Sequence, residues 1–116
     1  MEEHVKKALV DWNEKISDVL KGIEKEYEDV KRELQVYSYK FNITKQVVQS
    51  TINDEIIRNI REMYHKPFEQ KLNELKGSIK ELEEKRKVFH MFVDKIAKVS
   101  GIEDGKPQAS AAENAA

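Results

Sequence analysis

The sequence contains no cysteine and few residues that interrupt helices, namely four glycines and two prolines in 116 residues. Without cysteine, disulfide bonds and cysteine–zinc sites are excluded. No stretch approaches the ~18 consecutive apolar residues from which a membrane-spanning helix is built. The first residues, Met1 to Lys7, lack the apolar segment of a secretory signal. We therefore expect a soluble, cytoplasmic protein with no membrane partner.

A bias toward one sign of charge is also absent. Lysine and arginine number 21 and aspartate and glutamate 22, which gives a formal net charge of −1. The two signs are interspersed, so the composition does not favour nucleic acid as a partner, and acids directly precede the short basic cluster Lys85–Lys87. The chain is nevertheless rich in charge, at 37% charged and 39% hydrophobic residues. This combination is typical of long helices with solvated faces rather than of a compact enzyme.

The clearest pattern is a heptad repeat in the second half of the chain. Apolar residues spaced alternately three and four apart give a helix one narrow apolar stripe that faces a partner helix. Arg86 occupies a stripe position, where it either fixes the pairing register or extends its guanidinium toward Glu83 or Glu84. The stripe comprises Phe68, Leu72, Leu75, Ile79, Leu82, Phe89, Val93 and Ile96.

A similar repeat runs through the first third of the chain. Two consecutive steps of four, from Val19 to Ile23 to Tyr27, predict a one-place slip that locally unwinds a supercoil. The repeat comprises Val5, Leu9, Trp12, Ile16, Val19, Ile23, Tyr27, Val30 and Leu34.

The segment 36–52 fits two structures. Tyr37, Tyr39, Phe41 and Ile43 alternate with polar residues, which favours a strand or short hairpin. Tyr37 and Phe41 also continue the heptad of the first helix, and no glycine-containing hairpin turn is present. A continued helix is therefore favoured, with a short β segment as the alternative.

The predicted fold is all-α, an elongated, coiled-coil-like antiparallel helical hairpin. The first arm ends near Gln49 and the second begins near Asp54, after the N-cap candidates Ser50, Thr51 and Asn53. Position i then faces roughly position 103 − i. The competing fold is a three-helix bundle broken near Asn42 and kinked at Pro67. We assign residues 1–100 to a single helical domain and 101–116 to a flexible tail.

No catalytic constellation is recognisable, and we expect neither enzymatic activity nor a cofactor. The spacing of Glu62 and His65 is half of a di-iron carboxylate site and is similar to that of encapsulated ferritin-like proteins, with Glu26 or Glu33 as further ligands. A metal site is only the lowest-ranked alternative.

The predicted partner-binding residues are the aromatic side chains near the hairpin turn and at its open end, where Val88 and Met91 extend the cluster. They are Tyr37, Tyr39, Phe41, Trp12, Phe89 and Phe92.

The layout of two long helices flanking an ambiguous segment resembles that of the β-type subunits of prefoldin. That resemblance implies a holdase chaperone or scaffold as one alternative function. The heptads themselves predict a helical interaction or assembly module that forms homo-oligomers and binds an unidentified protein partner.

Overall fold

The computed structural model describes residues 1–101 and is an all-α antiparallel hairpin of two long helical arms. The second arm contains two α-helices joined without a break by a turn of π-helix. The predicted hairpin and the predicted ends of its arms are confirmed. The elements are α1 (Glu3–Gln49), α2 (Asp54–Ile60), the π turn (Arg61–His65) and α3 (Lys66–Ser100).

Helix α3 ends at Ser100 and is followed by Gly101, whose φ of 74° is the left-handed conformation that commonly follows the last helical residue. Ser100, which is buried, donates its hydroxyl to the carbonyl of Ile96 over 2.7 Å. The predicted flexible tail, 101–116, lies outside the described residues apart from Gly101.

The connection between the arms spans residues 50–53 and is stabilised by side-chain caps. The Oδ1 atom of Asn53 accepts hydrogen bonds from the backbone N–H groups of Glu55 (2.9 Å) and Ile56 (3.1 Å). These bonds satisfy donors that the first turn of α2 leaves without a helical partner. At the other end, the Thr51 hydroxyl donates to the carbonyl of Val47 over 2.6 Å. The predicted N-cap at Asn53 is thus confirmed.

The segment 36–52 is helical as far as Gln49, so the β alternative was wrong. Tyr37 and Phe41 are half-buried, whereas Tyr39 is 65% and Ile43 59% exposed. The four residues therefore follow the helical period and not the strand period. The break near Asn42 that a three-helix bundle requires is absent from α1.

The chain divides into two compact units. Unit 1 consists of Met1–Glu24 and Glu84–Ala116, and unit 2 consists of Lys25–Glu83. The second segment of unit 1 is described as far as residue 101. Each unit contains part of α1 and part of α3, so each has its own helix–helix seam.

In unit 2 aromatic and leucine side chains make up most of the seam. The ring of Tyr37 meets Phe68 edge-on, with centroids 5.9 Å apart, and the ring of Phe41 lies 4.7 Å from that of His65. These two pairs lie two and three places from the predicted 103 − i register. Buried leucines of α3 complete the seam, at positions that the heptad repeat predicts: Leu72, Leu75 and Leu82.

In unit 1 the seam contains a buried asparagine. Asn13 and Leu20 are buried, whereas Trp12 and Val19, predicted for the seam, are 45% and 47% exposed. With Asn13 and Leu20 in place the repeat alternates steps of four and three without interruption, so the predicted slip at Ile23 was wrong. The buried or half-buried stripe of α1 comprises Leu9, Asn13, Ile16, Leu20, Ile23, Tyr27, Val30, Leu34, Tyr37, Phe41, Thr44 and Val48.

The π turn absorbs one extra residue in the repeat of the second arm. From His65 onward the buried and half-buried positions alternate in steps of three and four, but the step from Ile60 to His65 is five. The backbone N–H of Lys66 bonds to the carbonyl of Arg61, five residues back, which is the π-helical pattern. This wider turn ends two residues before Pro67, which has no N–H to donate.

Candidate interaction surface

A second heptad stripe lies beside the seam on both helices of unit 1. Each of its residues directly precedes a seam residue in the sequence, as Trp12 precedes Asn13 and Phe92 precedes Val93. Consecutive residues of an α-helix lie about 100° apart around its axis. The stripe therefore faces the same side of the unit on each helix. On α1 it comprises Val5, Ala8, Trp12, Lys15, Val19 and Gly22, and on α3 it comprises Lys85, Val88, Phe92, Lys95 and Val99.

An apolar groove with a volume of about 440 Å³ lies between the two stripes. Trp12 and Phe92 meet across it in an edge-to-face arrangement, with ring centroids 5.9 Å apart. Phe92 also lies 5.5 Å from Phe89, which is half-buried on the seam. Met91 and Val99, which also line the groove, are 51% and 65% exposed. The groove is therefore an open apolar surface, and we call it the unit 1 groove.

Charge on the two stripes is of one sign. The ionisable residues at stripe positions 5–22 and 85–99 are Lys15, Lys85 and Lys95, and Lys95 lines the unit 1 groove itself. Within residues 1–101 none of these three lysines forms an ion pair. The groove thus combines apolar walls with lysines that form no ion pair among the described residues.

In unit 2 the equivalent positions of α1 nearest the unit boundary are acidic, namely Glu26, Asp29 and Glu33, and the last two form ion pairs. Asp29 forms ion pairs with Lys25 (3.0 Å) and Arg32 (3.4 Å). Glu33 lies 3.6 Å from Lys71 on the opposite helix. Exposed pairs of this kind contribute little stability and are typical of a solvated face. Acidic residues therefore interrupt the stripe of α1 after Gly22, and the same spacing continues in unit 2 with Val36, Lys40, Ile43 and Val47.

The predicted aromatic residues near the turn occupy two environments. Tyr37 and Phe41 contact the opposite helix on the seam, and Lys40 lies 4.8 Å from the centroid of the Tyr37 ring. Tyr39 is directed outward, on a face where three other apolar residues of α1 are also exposed. These are Val36, Ile43 and Val47. Partner binding through Tyr37, Tyr39 and Phe41 stays a prediction.

At the open end, Trp12, Phe89 and Phe92 are brought together as the predicted aromatic cluster, although their binding role is untested. Sequence reasoning did not include Lys15, Lys95 or Val99 in this surface. A search for a second series of three- and four-residue steps, displaced by one residue from the seam, would have found them.

Glu62 and His65 do not converge on a third ligand. The Glu62 carboxylate pairs with Lys66 at 2.7 Å. The ring of His65 lies against Phe41, and its Nδ1 atom is buried without a hydrogen-bond partner in the described part of the chain. Glu33, proposed as a further ligand, pairs with Lys71 instead. Between residues 1 and 101 no three histidine, aspartate or glutamate side chains form a group that could hold a metal ion.

Comparison with known proteins adds no family to this description. No protein-family model matches the chain, and no curated protein or solved structure is significantly similar to it. No helix in the described range has an apolar stretch long enough to cross a bilayer.

Proposed function

We propose that the protein is a non-enzymatic helical interaction module that assembles by packing the unit 1 groove against helices of another polypeptide, either a partner or a second copy. The observation that carries this proposal is the second heptad stripe, which is present on both helices of unit 1 and faces one side. A heptad stripe is the feature by which a helix packs against a neighbouring helix. Here each helix has two such stripes and uses one of them within the hairpin.

The extent of burial supports the same reading. Among residues 1–101 only six apolar side chains are buried, and the most buried of these, Leu82, is still 4% exposed. A seam between two helices cannot enclose its residues as a bundle does, and small folds often complete their core by association. The exposed apolar residues of the unit 1 groove are positioned to contribute to such a core.

The experiment compares two double variants with the natural protein. Met91→Glu with Val99→Glu places charge on the unit 1 groove, and Ile52→Glu with Met63→Glu changes exposed apolar residues elsewhere. We expect light scattering to show assembly above the monomer mass in the micromolar range. The groove variant should be monomeric with unchanged helicity, and the control should assemble like the natural protein. Assembly that survives the groove variant would contradict the proposed surface.

A prefoldin-like holdase is the second candidate, favoured by the exposed patch on α1 near the turn. Tyr39 and Ile43 are the most exposed members of this patch. Tyr39→Glu with Ile43→Glu should then abolish suppression of aggregation of heat-denatured citrate synthase while far-ultraviolet circular dichroism stays unchanged. Natural protein that does not suppress aggregation would exclude this candidate.

A further inference from the structure

We propose that the occupant of the unit 1 groove is an amphipathic helix of a partner protein that carries acidic side chains beside its apolar stripe. This inference rests on the proposed function and adds the chemistry of the partner. It follows from two properties of the groove, its shape and its charge.

The shape suits one helix lying along the groove. Two helices whose free stripes face the same side leave a channel between them, and a third helix fills such a channel with apolar residues spaced three and four apart. Trp12 and Phe92 provide aromatic anchors in the floor of this channel, and both retain exposed surface to give to a ligand. Tryptophan is among the residues that contribute most to interface affinity when they become buried.

The charge favours an acidic helix as the tighter ligand, while a second copy of this chain occupies the groove more weakly when no partner is present. Lys15, Lys85 and Lys95 lie on the two stripes, and none of the stripe residues named above is acidic. None of the three lysines has an ion-pair partner within the described residues. A second copy presenting the same face would bring three more lysines and no acidic stripe residue to the interface. Like charges across an interface disfavour association, whereas glutamates or aspartates flanking the ligand's apolar stripe would pair with the lysines.

The test uses two synthetic helical peptides of roughly 21 residues, three heptads each. Both have leucine at the stripe positions and no tryptophan, and they differ in having glutamate or lysine at the flanking positions. The full-length protein has one tryptophan, Trp12, in the groove, so its emission reports occupancy directly. We expect the glutamate peptide to shift the emission to shorter wavelength in a saturable way, and the lysine peptide to have no effect at the same concentration.

Charge reversal provides the matched control. Lys15→Glu, Lys85→Glu and Lys95→Glu together should weaken binding of the glutamate peptide roughly tenfold or more, as expected for three exposed ion pairs, and should permit binding of the lysine peptide. Lys45→Glu, Lys76→Glu and Lys80→Glu, in unit 2, reverse three exposed charges off the groove and should leave binding unchanged. Raising the salt to about 0.5 M should reduce the difference between the two peptides.

The outcomes separate this inference from the proposed function. Equal binding of both peptides would overturn the acidic partner and leave the groove as a helix-binding surface. Failure of both peptides, with natural protein that dimerises and a groove variant that does not, would identify a second copy as the occupant and also overturn the acidic partner. Failure of both peptides with a monomeric natural protein would overturn both proposals.

Discussion

Trp12 and Phe92 form an edge-to-face pair in which both rings remain partly exposed, Trp12 to 45% and Phe92 to 38%. An aromatic pair of this geometry contributes about 0.5–1.5 kcal/mol beyond the area that it buries. The pair therefore stabilises unit 1 while leaving much of its apolar surface open to a ligand.

The first prediction concerns the stability that Phe92 contributes. Because its ring is only partly buried, Phe92→Ala should lower the free energy of unfolding by about 1–2 kcal/mol, less than the 3–5 kcal/mol of a buried phenylalanine. Leu82→Ala, at a position that is 4% exposed, should cost about 3 kcal/mol. Urea denaturation followed by circular dichroism measures both. A loss for Phe92→Ala as large as that for Leu82→Ala would assign the ring to the core.

The second prediction concerns the buried amide of Asn13. Its Oδ1 atom has no hydrogen-bond partner in the described structure, and a buried polar group without a partner is destabilising. Asn13→Leu should therefore raise the free energy of unfolding by about 1–2 kcal/mol. Asn73→Leu changes an exposed asparagine of α3 and should alter it by less than about 0.5 kcal/mol. Lower stability of Asn13→Leu would show that the amide is satisfied in solution.

The third prediction concerns the N-cap of α2. Asn53→Ala removes the acceptor for two backbone N–H groups and should cost about 1 kcal/mol. Asn53→Asp keeps a capping oxygen and should preserve the stability. Asn59→Ala, inside α2, tests the general effect of replacing asparagine with a stronger helix former and should be neutral or slightly stabilising. Thermal unfolding ranks the three variants, and equal midpoints for Asn53→Ala and the natural protein would refute the cap.

The fourth prediction concerns the π turn and Pro67. Deleting Met63, an exposed residue of this turn, restores steps of three and four and should convert it to α-helix. The proline ring would then meet the carbonyl four residues earlier, at a cost of about 3 kcal/mol.

Combining this deletion with Pro67→Ala should recover most of that lost stability. Pro67→Ala alone should change the free energy of unfolding by less than the deletion does. Urea denaturation of all four proteins forms a double-mutant cycle. A deletion that costs the same with and without Pro67→Ala would show that the π turn does not serve the proline.

The seam of α3 was predictable because nearly every position of its stripe is apolar, and a single series of three- and four-residue steps passes through all of them. The prediction failed at Asn13. Because asparagine is polar, the apolar repeat was assigned to Trp12 and Val19, although Asn13 and Leu20 are the residues on the seam. That displacement by one residue produced the false slip at Ile23. It also placed Trp12 and Val19 on the inner seam instead of on the second stripe.

The π turn could not be read from apolar spacing alone. A step of five between Ile60 and His65 looks the same in sequence as the end of one helix and the start of another, and Pro67 favours that second reading. The π turn keeps the helix continuous across this step, with the N–H of Lys66 bonded to the carbonyl of Arg61. The lysines of the unit 1 groove were overlooked for a different reason. They are conspicuous only once α1 and α3 are known to present them on the same side.

The π turn lies where the three- and four-residue repeat of buried positions in α2 is displaced by one residue from the repeat in α3. A one-residue insertion in an ordinary helix rotates all later residues by about 100° relative to earlier ones. Here the rotation is completed within residues 61–65, so α3 keeps its own phase from His65 onward. Ile57 and Ile60 before the turn and His65 and Phe68 after it are therefore all half-buried, so that one continuous arm contains two phases of the repeat.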